Sequence, residues 1–155
     1  MTNLQPLITL LAHSERQRDI ALADMMKAQV ASTAAEAQSE QLRTYRCEYE
    51  QRWSAQFSRE GQMQLVNCYQ GFMERLTLAV DGQGRVARQL ALQLERLRTI
   101  VAEHELQVAA VRKLLERRAA EFRRAADRVD QKHDDELAAR ITWGRRAAAN
   151  RPTIV

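Results

Sequence analysis

From the N-terminus, apolar and small residues recur at Leu4, Leu7, Leu11, Ser14, Arg18, Ala21, Met25, Ala28, Ser32 and Ala35, in alternating steps of three and four. This heptad stripe keeps one helical face turned toward a partner helix. Ser and Arg at seam positions bury little area, so the first helix must rely on close approach through its alanines. The stripe breaks around Ser58, Arg59, Glu60 and Gly61, where Gly61 supplies the permissive backbone for a chain reversal. It then resumes at Leu65, Tyr69, Phe72, Leu76, Ala79, Gln83, Val86, Leu90, Leu94, Leu97, Val101, His104, Val108, Val111, Leu115, Ala119, Phe122, Ala126, Val129, His133 and Leu137.

These second-helix steps average about 3.6 residues, the period of an undistorted helix, so supercoiling should be slight and the paired helices nearly straight. The pattern predicts an all-α fold: an elongated antiparallel two-helix coiled coil, with the second helix longer than the first. We place helix one at about 4–58, the turn at about 59–61 and helix two at about 62–146, followed by a flexible C-terminal tail, in a single hairpin spanning residues 1–155. At 1.5 Å per residue the helices are roughly 80 and 125 Å long, so the second must overhang the first.

Composition strengthens this reading. Ala, Glu, Lys, Leu and Arg supply 78 of the 155 residues, as in long helices, and only 8 residues are aromatic, so the core is thin. The only prolines, Pro6 and Pro152, bracket the helical region. Gly82 and Gly84 fall inside helix two, where each is either a hinge point or a tolerated cost, and Gly71 is a third such position. No stretch is apolar for the length of a membrane span, and the N-terminus lacks a secretory pattern, which together predict a cytoplasmic protein. Cys47 and Cys68 are too few and too unpatterned for a disulfide framework or a zinc site.

Two stripes near the turn mirror one another. Gln38, Leu42, Tyr45 and Tyr49 have the same spacing as Phe72, Leu76, Ala79 and Gln83, and a reversal between Glu60 and Gly61 pairs Tyr49 with Phe72, Tyr45 with Leu76, Leu42 with Ala79 and Gln38 with Gln83. From spacing alone these residues are either the coiled-coil seam or an exposed binding patch. A second apolar line, Val66, Tyr69, Met73 and Val80, favours the patch, since a helix facing one partner needs one stripe.

Charge is uneven. Residues 112–151 carry 12 Lys and Arg against 7 Asp and Glu, and hold all of the chain's positive excess. Arg117, Arg124 and Arg128 share one helical face and Phe122, Ala126, Val129 and His133 another, making a basic amphipathic helix suited to an acidic protein surface or anionic lipid. Nucleic acid fits less well, because acids offer local pairs such as Arg117 with Glu121 and Arg123 with Asp127, and no aromatic platform is present. His133, Asp134, Asp135 and Glu136 are consecutive, so a helix scatters them around its circumference and no metal cage follows. No phosphate loop, nucleophile elbow or pocketed carboxylate pair is present, which argues against an enzyme and for no cofactor.

The ordered set Leu4, Leu7, Leu11, Glu15, Arg18-Asp19, Ala21, Ala28-Gln29, Gln41-Leu42, Tyr45-Arg46, Glu48-Tyr49, Gly61, Leu65, Tyr69, Phe72 and Leu76 resembles the flagellar FliJ family over about the first 80 residues. The resemblance implies a non-enzymatic, coiled-coil component of the flagellar type III protein export apparatus, similar to the stalk of rotary ATPases, active in flagellum biogenesis and hence motility. It further implies helix ends that enter the export ATPase hexamer, contact with a membrane export-gate protein, escort of export chaperones, and a cytoplasmic location peripheral to the membrane's inner face. The gate contact carries over to Gln38, Leu42, Tyr45, Tyr49, Phe72, Leu76, Ala79 and Gln83; Gly82 and Gly84 depart from the helix-forming polar residues expected beside Gln83. Charge alone assigns Arg117, Arg118, Arg123, Arg124 and Arg128 to the ATPase. A standalone secretion chaperone, or the equivalent stalk of a virulence-type system, is the alternative.

Overall fold

The computed structural model of the chain describes residues 4–59 and 62–151. Glu60 and Gly61, on which the reversal was centred, lie outside them, as do Pro152 and the tail beyond it. Two helices account for nearly all of the described chain, and the second is much the longer. Helix α1 runs Gln5–Phe57 and α2 runs Met63–Ala149, with no strand among the described residues. The ends follow from local chemistry. The Leu4 carbonyl accepts from the Leu7 and Ile8 amides at 3.1 Å, and Pro6 occupies the first turn, where no donor is needed. At the other end of α1, Ser58 donates both its amide and its hydroxyl to the Ser54 carbonyl, at 3.3 and 2.9 Å. Helix α2 closes with the Asn150 amide on the Arg146 carbonyl at 3.1 Å, and the Arg146 cation suits the negative end of the helix dipole.

The chain divides into two compact units, one of Ser14–Gln107 and one joining Met1–His13 to Val108–Val155. In the first, α1 and α2 pack antiparallel: Gln29 meets Arg98, Gln38 meets Gln83 and Tyr49 meets Phe72, so one number falls as the other rises. The seam is unequal. Every buried residue of α1 is small (Ser14, Ala21, Ser32, Ala35 and Ser39), whereas α2 contributes Leu76, Val80, Leu94 and Val101 here. Small side chains on one helix leave room for large ones on the other, which resolves the shortage of apolar area in the first stripe. No buried side-chain nitrogen or oxygen among the described residues lacks a partner.

The first-helix stripe is observed as expected from the pattern, buried or half-buried at each position from Leu4 to Ala35. The second-helix stripe needs correction between Leu65 and Leu90. Leu65, Ala79 and Val86 are exposed, and the seam passes instead through Met73, Val80, Gly84 and Ala87. The line that the sequence offered as an extra surface is thus part of the core. Val80 is 6% exposed, and Gly84, also buried, lies beside Ala37 and Ser39 of α1.

In the other unit, Leu4, Leu7 and Leu11 are half-buried, Val108 and Val111 are buried, and Leu114, Leu115, Ala119, Ala120 and Phe122 are half-buried. From Arg123 to Arg151 every residue is exposed. The stripe continues in sequence through Ala126, Val129, His133 and Leu137, but no described segment faces it.

Gly82 and Gly84 do not interrupt α2, and neither has a positive φ. An added Cβ would meet only the Arg85 guanidinium at 3.9 Å or that of Arg88 at 3.6 Å, both ordinary contacts. Gly82→Ala and Gly84→Ala should each therefore stabilise the protein by about 0.5–1 kcal/mol in urea unfolding, by removing backbone freedom from the unfolded chain. A loss of stability would mean that the helix needs a bend there.

Candidate functional site

An aromatic ladder lies at the turn end of the Ser14–Gln107 unit. Tyr45, Tyr49, Trp53 and Phe57 follow one another at steps of four, so their rings stack along one face of α1, with centroids 5.2–6.0 Å apart. Tyr69 and Phe72 of α2 close over them: Tyr49 lies 4.5 Å from Phe72 and 6.2 Å from Tyr69, while Trp53 and Phe57 lie 5.6 and 5.3 Å from Tyr69. Burial, with smaller contributions from the neighbouring Glu50 and Tyr49, raises the pKa of the Tyr69 phenol above its ordinary value, so it is neutral at physiological pH. Trp53 and Phe57 were missed in the sequence reading, although the four-residue aromatic spacing from Tyr45 onward would have found them.

The eight residues of the mirrored stripes divide between two environments. Gln38 and Gln83 meet across the helices, Gln83 Nε2 donating to Gln38 Oε1 at 3.1 Å, and Tyr49 and Phe72 meet in the ladder. Leu76 is 8% exposed and belongs to the core, and Leu42 is half-buried. Gln38, Ala79 and Tyr45 are exposed, Tyr45 at 46%. Seam and surface are therefore both present: Leu76 holds the helices together, while Gln38, Tyr45 and Ala79 form an exposed edge beside the seam.

Arg117, Arg118, Arg123, Arg124 and Arg128 are all exposed. Glu121 holds the first two, with Arg117 at 3.7 Å and Arg118 at 3.4 Å. Arg123 does not pair with Asp127 as its spacing suggested, and Arg124 and Arg128 carry no ion pair among the described residues either. Cys47 and Cys68 are exposed free thiols. Among the described residues no three His, Cys, Asp or Glu side chains are grouped to hold a metal ion, and no helix is long and apolar enough to cross a membrane.

Compared with models of known protein families, residues 3–147 match the one described as the flagellar FliJ protein. No curated protein and no solved structure matches the chain. The matched span extends well past residue 80, where the ordered motifs end, and takes in the basic end of α2 as well as the aromatic ladder. With nearly the whole of both helices covered, the chain belongs to the FliJ family of flagellar proteins.

Proposed function

We propose that this chain is a non-enzymatic stalk and adaptor of flagellar type III export, linking the export ATPase ring to the export gate and escorting export chaperones. The family is a non-catalytic one with a role in flagellar export. What carries the finer reading is the bare end of α2, where every residue from Arg123 to Arg151 is exposed on a continuous basic helix. Such an end is suited to insertion into an acidic protein ring, since burial of Val129 and Leu137 and pairing of Arg123, Arg124 and Arg128 both await a partner. The exposed edge of Gln38, Tyr45 and Ala79, with Gln83 beside it, is the surface we assign to the gate, and on this reading the protein works in the cytoplasm against the inner face of the membrane.

The test is a pull-down from native lysate with the wild type and a Gln38→Ala, Tyr45→Ala, Gln83→Ala triple variant. These positions spare Leu76, whose truncation would report on packing instead. The variant should keep its helicity by circular dichroism, retain the ATPase and lose the gate protein. Equal recovery of the gate protein by both chains would remove the edge from the proposal, and recovery of no export component by the wild type would remove the adaptor role.

A further inference from the structure

Within the Ser14–Gln107 unit a groove of about 430 Å³ runs between α1 and α2. Arg43 and Arg46 line it from α1, and Arg85 and Arg88 from α2. Asp81 is the one acid at its wall, so four guanidinium groups face a single carboxylate. Among the described residues, Arg43 alone of the four has an ion-pair partner, Glu40 at 3.6 Å on the exposed surface. Val80 and Gly84 lie between the arginines, and the Arg88 guanidinium is 3.6 Å from where a Cβ on Gly84 would stand. The adjoining stretch continues over Ala37, Ser39, Ala87 and Ala91.

We propose that this groove binds a carboxylate-rich helical segment of a partner protein. Arginine presents a planar fork that matches a carboxylate with two parallel hydrogen bonds, and the four arginines come as two pairs, each at i, i+3, one pair on each wall. A helix with carboxylates one turn apart, laid along the groove, meets both walls at once. Nucleic acid is disfavoured because no aromatic ring lines either stretch for base stacking. Glu36 and Glu40 line the continuation of the groove, so the carboxylates of the partner sit over the arginine stretch. This inference rests on the groove alone and stands whether or not the export-gate assignment does.

The test uses the full-length chain and a fluorescein-labelled alanine-based helical peptide with glutamates at i, i+4, followed by fluorescence anisotropy at low and physiological salt. The wild type should bind, more weakly as salt rises. Arg85→Glu with Arg88→Glu should weaken binding by about tenfold or more, whereas Arg140→Glu with Arg145→Glu, an equal charge change on the exposed end of α2, should change it less than about twofold. If the reversal lowers helicity, Arg85→Gln with Arg88→Gln replaces it and should show the same direction. The proposal is overturned if the peptide does not bind, if both reversals weaken it equally, or if a single-stranded oligonucleotide of equal charge binds more tightly through the same arginines.

Discussion

Leu94→Ala should lower the stability of the protein by about 2–4 kcal/mol in urea unfolding, with little change in the slope of the transition. Leu94 is 5% exposed, near the middle of the Ser14–Gln107 unit. The residues α1 buries in this unit are only alanine and serine, so no large side chain can swing in to fill the space left by a truncated leucine. The cost should therefore include a cavity term as well as the lost burial. Leu92 and Leu106 supply the internal comparison, being the same residue type on the same helix at 59% and 73% exposure. Their alanine variants should stay within about 0.5 kcal/mol of the wild type. If all three leucines cost the same, the unequal seam is not what holds the helices together.

Removing residues 123–155 should have the opposite profile, leaving the stability nearly unchanged while export-ATPase capture in a pull-down falls by more than about tenfold. The first half follows from burial: the segment is exposed at every described position, so no tertiary packing is lost with it. The second follows from chemistry, since Arg123, Arg124 and Arg128 go with it, with no ion pair among the described residues, together with the apolar stripe of Val129 and Leu137. Arg117 and Arg118 remain but are already engaged by Glu121. Reversing the charge at Arg123, Arg124 and Arg128 in the intact chain should reproduce part of the loss. A shortened chain that captured the ATPase as well as the whole one would mean that these arginines have another use.

The sequence by itself determined the number of helices, their ends and their antiparallel pairing. A long span free of proline, one break in the apolar stripe and alternating three- and four-residue steps leave few other ways to bury those residues. The two helices are observed at Gln5–Phe57 and Met63–Ala149. The mirrored spacing of the two stripes even located cross-helix partners, as the contacts of Gln38 with Gln83 and Tyr49 with Phe72 show. Tertiary structure alone decided which of two adjacent apolar lines on α2 faces inward near residues 73–87. Neighbouring helical stripes differ by only a small rotation, and the choice depends on the sizes of the side chains opposite. Val80 and Gly84 are buried, whereas Ala79 and Val86 are left in solvent. Packing of the two helices, which no periodicity records, also gathers four arginines around one groove of the Ser14–Gln107 unit.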